Sequence, residues 1–311
     1  MELRRLRLLL ELSRRGTVAA VADALDYSPS SVSVQLSELE REVGVKLLRK
    51  VGRNVALTPA GRRLADYAAS AVAADEAIIA ELGALGGTPR GMVRMSFVQT
   101  PALALLPAAL ATLARTAPDL SVEVIQRETL PGLDDLRSRA VDVVLGIDYD
   151  PAPVPRHRDV DRRDLIREEA LLAVPANDPL AASGGPIALA AVEDAVWAAG
   201  HRGTGHSAAI EAICNGVGGY APNIRHRTDD ALILRALVSS GQAVTLLPAL
   251  IGTATPEVAV RPIAEGPVRR TIFTAVRTTA LDLPAVVAVR AALMAAALAA
   301  TEGRDDVTVV Q

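Results

Sequence analysis

The chain is short of the residues on which several kinds of protein depend. Its one cysteine, Cys214, excludes an intrachain disulfide and leaves no second thiol to resolve an oxidised one. Cys214 reads instead as a small buried hydrophobe. Aromatic residues make up 2% of the 311, so the core has to be assembled from Ala, Leu and Val. The Ala-rich stretch at 291–300 is about ten residues, too short to cross a bilayer. Met1-Glu2-Leu3-Arg4 is not followed by the long apolar segment of a signal peptide, and a soluble cytoplasmic protein without membrane contact is expected. There is no Gly-x-Ser-x-Gly elbow, no lysine-bearing phosphate loop and no convincing carboxylate pair for acid–base work. No catalytic residue is assigned and no enzyme is expected. His201, His206 and Cys214 lack zinc spacing, so neither metal nor cofactor is expected.

What is present concentrates in residues 16–44, which read as two short helices joined by a tight turn. Thr17 is a good N-cap, and Val18, Val21, Ala22 and Leu25 form an apolar stripe at helical spacing. After Asp26 and Tyr27, Ser28 caps a second helix with Pro29 at its first position, where a missing N–H costs nothing. That helix turns Val32, Leu36 and Leu39 inward and leaves Ser30, Ser31, Ser33 and Gln35 outside. Short hydroxyls and an amide suit a helix that must enter a DNA major groove. A merely solvated Ser-rich face has the same composition, so neighbouring segments decide. Lys46 to Thr58 reads as a β-hairpin wing around Gly52-Arg53-Asn54, with Arg49 and Lys50 just before the turn as cations for phosphates. Residues 1–63 hold 12 Lys+Arg against 7 Asp+Glu, a net of +5; the remainder holds 21 against 29, a net of −8. A basic head on an acidic body is expected when only the head meets a polyanion.

Residues 3–66 resemble the N-terminal winged helix-turn-helix of LysR-type transcriptional regulators. The resemblance is carried by Leu3 to Leu12, Gly16 to Ala22, Leu25, Ser28, Val32-Ser33, Gln35-Leu36, Leu39-Glu40, Gly44-Val45, Leu47-Leu48, Arg53 and Leu57-Thr58-Pro59-Ala60-Gly61. Two positions depart from the family pattern. Pro29 stands where Gln often follows the opening Ser, and Val34 stands where Arg often precedes the Gln. Base preference therefore does not carry over from other members.

Thr58-Pro59 opens a helix that is expected to run to Leu85, with Leu64, Ala68, Ala71, Ile78, Leu82 and Leu85 near heptad spacing and Asp75 as the flaw. Such a helix either pairs with a second copy or lies on its own body. The resemblance implies pairing, into homodimers or homotetramers. From Arg90 onward strand and helix patterns alternate, expected as a mostly parallel sheet covered on both faces. Their order is similar to the two-lobed effector domain of the same family. The fold class is therefore α/β: a winged helix-turn-helix at 1–58, a linker helix and hinge at 59–90, and an effector-binding domain at 91–301. Lobe one takes 91–161 and 269–301, lobe two takes 162–268, and 302–311 is expected to be a loose tail.

In open α/β sheets a ligand sits beyond the carboxyl ends of strands, where helix N-termini point. That selects Gln99 and Thr100, then Ile147 at the end of a strand. It also selects His201, Arg202, Thr204 and Ser207 in a Gly-rich loop, and Thr228 before another helix. Plain helix capping competes with ligand contact at Thr100 and Thr228. The DNA-contacting set is Thr17, Ser28, Pro29, Ser30, Ser31, Ser33, Gln35, Arg49, Lys50 and Arg53. The reading is a DNA-binding transcriptional regulator controlled by a small-molecule effector, a carboxylate or amino acid being expected, with the transcription machinery as a further partner. Two rivals stand beside it: an α/β enzyme or solute-binding protein with an appended helical head, and a regulator that needs no effector.

Overall fold

Local caps start the second and third helices, and left-handed glycines stop the first and third. The computed structural model describes residues 1–51, 54–85, 87–182, 184–251, 255–304 and 306–310. Helix α1 (Leu3–Arg15) ends at Gly16, whose φ of 77° is the left-handed conformation that glycine tolerates. Thr17 starts α2 (Val18–Ala24), its hydroxyl oxygen accepting from the Ala20 N–H at 3.2 Å. Ser28 starts α3 (Pro29–Val43) in the same way through Ser31 N–H at 3.1 Å, with Pro29 in the first turn. Leu6, Leu9, Val21, Val32, Leu36 and Leu39 close a small core between them. Strands β1 (Leu48–Val51) and β2 (Asn54–Leu57) then form an antiparallel hairpin.

Helix α4 (Pro59–Leu85) has 27 residues and is roughly 40 Å long at 1.5 Å per residue. Its first half packs on the head through Leu64, Ala68 and Ala71. A Cβ at Gly61 would lie 2.1 Å from the Leu47 carbonyl oxygen, so only glycine lets the helix rest against the wing's entry. Farther along, Ile78 and Leu82 stand 48% and 61% exposed, while the Leu85 side chain lies outside the described residues. The head also touches the rest of its own chain. Arg14 donates to the Arg137 carbonyl at 2.6 Å and pairs with Asp159, and Arg139 donates to the Val72 carbonyl on α4.

The remainder runs β3 (Gly91–Phe97), α5 (Gln99–Thr116), β4 (Leu120–Gln126), α6 (Thr129–Ser138), β5 (Val143–Tyr149) and β6 (Val160–Pro175). It continues through α7 (Pro179–Ala182), β7 (Val196–Ala199), α8 (Gly205–Ile213), β8 (Asn223–Arg227), α9 (Ala231–Ser239), β9 (Thr245–Pro248) and β10 (Val258–Arg261). It ends with β11 (Val268–Arg277), α10 (Pro284–Thr301) and β12 (Val307–Val309). The main sheet has the order β10-β6-β11-β5-β3-β4, with β9 and β12 also on β6; β7 and β8 pair separately. Within the main sheet the expected parallel pattern holds for β3 with β4 and β5 and fails elsewhere, since every strand paired with β6 or β11 is antiparallel. The reason is topological. β6 carries the chain from one lobe to the other, β11 carries it back, and the two lie side by side. Both are continuous strands through the junctions placed at 161–162 and 268–269.

Each lobe has its own core. One gathers β3, β5, α5 and α10, and the other gathers β7, α8 and β9 around Trp197. The Ala-rich run at 291–300 is part of an 18-residue helix, long and apolar enough by composition alone to cross a membrane. Its Val289, Leu293, Ala296 and Ala297 are packed into the first core, and its Arg290 pairs with Asp161. The segment expected to be a loose tail is also tied down. Val307 is buried, β12 pairs with β6, and Arg304 donates to the carbonyls of Ala249 and Leu250. The alternation of Val307 and Val309 is too short a signal to mark a strand without its partner.

Candidate functional site

Two places gather the polar residues singled out above. On the head, α3 and its cap expose Ser28, Pro29, Ser30, Ser33, Val34 and Ser37. Their hydroxyls are engaged only locally: Ser33 donates to the Pro29 carbonyl and Ser37 to the Ser33 carbonyl, each at 2.9 Å. Ser31 and Gln35, expected outside, are half-buried. Gln35 is held by Arg5, whose Nε donates to its Oε1 at 3.0 Å, and Arg5 pairs in turn with Glu42. The expectation fails because helical periodicity places Gln35 without knowing that α1 lies alongside. Thr17, half-buried, is occupied as a cap. Arg49 and Lys50 on β1 are at the surface, while Arg53 lies outside the described residues.

Glu40 fixes the wing to α3, a role that sequence reading missed. Its carboxylate accepts from the N–H groups of Leu47 and Leu48 at 2.8 and 2.9 Å and from Lys46 at 2.8 Å. Partial burial works to raise this carboxyl, but those hydrogen bonds outweigh it and hold Glu40 below its ordinary value. The wing cations therefore keep a fixed relation to the exposed serines.

The second place lies between the lobes, beyond the ends of β3, β5, β7 and β8. Lobe one contributes Thr100, Glu128, Thr129, Ile147 and Tyr149, lobe two contributes His206, Thr228, Asp229 and Leu234, and Arg270 lies beneath them on β11. The cavity is small, about 50 Å³, room for a few waters or a short aliphatic guest. Arg270 and Glu168, cross-strand partners on β11 and β6, are 1% and 3% exposed. Nε and Nη2 of Arg270 donate to Glu168 Oε1 at 2.9 and 2.7 Å, Nη1 to the Tyr149 hydroxyl at 3.2 Å, and Nη2 to the Thr100 hydroxyl at 3.1 Å. Glu168 Oε2 accepts from the Leu250 N–H. The buried charge is thus cancelled on site, and burial pushes the Tyr149 phenol up so that it stays protonated.

Of the expected effector residues, Thr100, Ile147 and Thr228 line this cavity. Gln99 does not; its Oε1 accepts the Ala231 N–H at 2.8 Å and joins α5 of one lobe to α9 of the other. Thr204 is spent capping α8, and Ser207 is buried between Glu211 and Arg227. His201 and Arg202 are exposed beside the opening, His201 bound to Asp229 through its backbone N–H and ring, each at 2.8 Å. His206 turns inward instead: Nδ1 accepts from Gly200 N–H and Nε2 donates to the Leu246 carbonyl, both at 3.0 Å. Burial drives it down to about 4, so it is a neutral strut. Cys214 is buried and its thiol donates to the Tyr220 hydroxyl. Sequence reading missed Glu128, Tyr149, His206 and Arg270. Arg270 has no local signal, lying in a strand with no turn or helix start beside it.

A wider groove of about 760 Å³ separates the head from lobe one. Its Arg94 and Arg127 are already paired with Glu123 and Asp135 on the same wall.

Comparison with known proteins matches this architecture. Residues 3–62 match the model of the bacterial regulatory helix-turn-helix proteins of the lysR family, and residues 86–298 match the LysR substrate binding domain. The transcriptional dual regulator GltC of Bacillus subtilis (strain 168) is 29% identical over 275 residues, 88% of this chain and 89% of GltC. The probable regulator LrrA of Synechococcus elongatus is 26% identical over 93% of this chain and 95% of its own length. A full-length OxyR point variant from Pseudomonas aeruginosa shares the fold, with a TM-score of 0.63 at 23% identity over 100% of this chain and 99% of that one. CbnR, solved with its target DNA, superposes with a TM-score of 0.53 at 21% identity over 95% of this chain and all of CbnR. With the helix-turn-helix head and the two-lobed domain matched in order on either side of the connecting helix, the chain belongs to the LysR family of transcriptional regulators.

Proposed function

We propose that the protein binds double-stranded DNA as a homodimer or a homotetramer built from two such dimers, in the cytoplasm, and performs no chemical step of its own. The α3 helices would enter successive major grooves about one helical turn, or a multiple, apart. The observation that carries this reading is the joint exposure of Ser30, Ser33, Val34 and Ser37 on α3 beside Arg49 and Lys50, held in register by Glu40. Serine hydroxyls can exchange their local backbone partners for phosphates or base edges. Val34, 58% exposed in the middle of this face, offers an apolar contact to a thymine methyl. The exposed Ile78 and Leu82 of α4 support pairing with a second copy. The relatives' names support regulation over catalysis, and CbnR has been solved on its target DNA.

A small molecule between the lobes would bias the arrangement of heads by its differential affinity for two states. Helix α6 supports such coupling. Its first residue, Thr129, lines the cleft and clamps Ile147 through two hydrogen bonds, while at its far end Arg137 meets Arg14 and Asp159 at the head. The decisive experiment is duplex binding to genomic promoter fragments across a salt series. Arg49→Ala is expected to weaken binding to all duplexes alike and to lower the salt slope by about one. Absence of duplex binding at low salt, with and without metabolites, would overturn the reading.

A further inference from the structure

The cleft holds one carboxyl with no bonded partner among the described residues. Glu128, immediately before α6, is half-buried in the cavity wall, and its carboxyl has no hydrogen bond or ion pair among the described residues. Asp229, on the opposite lobe, lines the same cavity, and the two acids repel each other across it.

We propose that this cleft takes a small primary amine, whose ammonium sits between Glu128 of lobe one and Asp229 of lobe two and draws the lobes together. The proposal rests on the regulator reading and adds the chemical class of the effector. Among the described residues, Arg270 is the only Lys or Arg lining the cavity, and its charge is already cancelled by Glu168. Of the other basic side chains nearby, His206 lines the cavity as a neutral ring held by Gly200 and Leu246, His201 is turned onto Asp229 at the rim, and Arg202 is exposed outside. A carboxylate inside the cavity therefore meets two acids and, among the described lining residues, no Lys or Arg that is not already paired. An uncharged guest leaves Glu128 desolvated and unpaired, which costs free energy that an ammonium recovers. Of the helix N-termini that made a carboxylate attractive, those of α8 and α9 are occupied, while that of α5 carries no side-chain cap. Thr204 caps α8, Asp230 accepts from Leu232 and Ile233, and Gln99 takes the Ala231 N–H.

The opposite end of the cavity indicates what else the guest carries. The Thr100 and Tyr149 hydroxyls, 7% and 5% exposed, both accept from Arg270 and have no acceptor for their own protons among the described residues. Both protons are free to be donated to an oxygen of the guest. An amine with a neighbouring hydroxyl matches both ends at this cavity size.

Ethanolamine, ethylene glycol and glycolate share one hydroxyl end and differ only at the other. Each is titrated calorimetrically into the full chain near neutral pH, beside duplex binding on the same preparation. Ethanolamine is expected to bind saturably at millimolar concentration, and ethylene glycol and glycolate are not. Glu128→Gln is expected to weaken ethanolamine by at least about tenfold, the size of a charge-assisted hydrogen bond. Glu128→Asp, which keeps the charge, is expected to retain most of the affinity, separating loss of charge from loss of fold. The proposal is overturned if either of the other two binds as tightly as ethanolamine, if Glu128→Gln leaves ethanolamine unaffected, or if ethanolamine fails to bind. Salt-sensitive duplex binding without amine binding removes this proposal alone; loss of duplex binding as well removes the regulator reading beneath it.

Discussion

The head and the inter-lobe cleft use polar side chains in opposite ways. On α3 the hydroxyls of Ser28, Ser33 and Ser37 bond to groups within four residues of themselves and face solvent. In the cleft, Arg270 reaches Glu168 across 102 residues and Gln99 reaches Ala231 across 132. Exposed local hydrogen bonds are exchangeable, because water or a phosphate can replace either partner at little net cost. A buried network is not, because removing one member leaves another desolvated and unpaired. Substitutions on the reading face of the head should therefore change function without changing stability. Substitutions in the floor of the cleft should change both.

The largest expected effect tests the cleft side of that contrast. Glu168→Ala leaves Arg270 buried without its counter-charge and is expected to cost about 3–5 kcal/mol in urea unfolding. A loss near zero would show that the cleft is as tolerant as the head. Next comes Gly61→Ala, which marks where the head ceases to be tolerant. Its new Cβ meets the Leu47 backbone oxygen, and the strain should cost about 1–3 kcal/mol and loosen duplex binding.

A smaller effect concerns pH. Glu128 is raised from 4.5 to about 7, by burial first and then by Asp229, with His201 working the other way. Tyr149 and Arg270 face the same cavity. Because the folded protein holds this proton more tightly than the unfolded chain, ionisation removes stability as pH climbs from 4.5 to about 7. Glu128→Gln, which cannot ionise, should gain in melting temperature relative to the parent across that window. A constant difference would show that Glu128 is solvated like a head residue. The smallest effect is Ser33→Ala, expected to shift stability by less than about 0.5 kcal/mol while weakening binding to one operator more than to random duplex. If stability dropped instead, Ser33 would belong with the buried network.

The winged head was legible because its signals are local. Thr17, Ser28 and Pro29 start helices, and Gly16 and Gly44 stop them, within four residues of the backbone groups they satisfy. Periodicity misplaces Gln35 because its partner Arg5 is 30 residues away. In the effector domain, strand–helix alternation indicated lobe one, and the rule about strand ends found Thr100, Ile147 and Thr228. The same rule also selected Thr204 and Gln99, which the fold spends on capping and on joining the lobes. Capping and ligand binding draw on the same residue types at helix starts, and only neighbours from distant segments separate them.

The sequence by itself determined the family, the order of the elements, the basic charge of the head and the start of nearly every helix on it. These depend on periodicity, capping and charge, which act within a few residues or sum over a whole segment. Only the tertiary structure decided that Arg270 is neutralised by Glu168, that Glu128 is left unanswered opposite Asp229, and that β12 closes on β6. A side chain's charge balance depends on what is packed against it, and packing joins residues that the chain order keeps far apart.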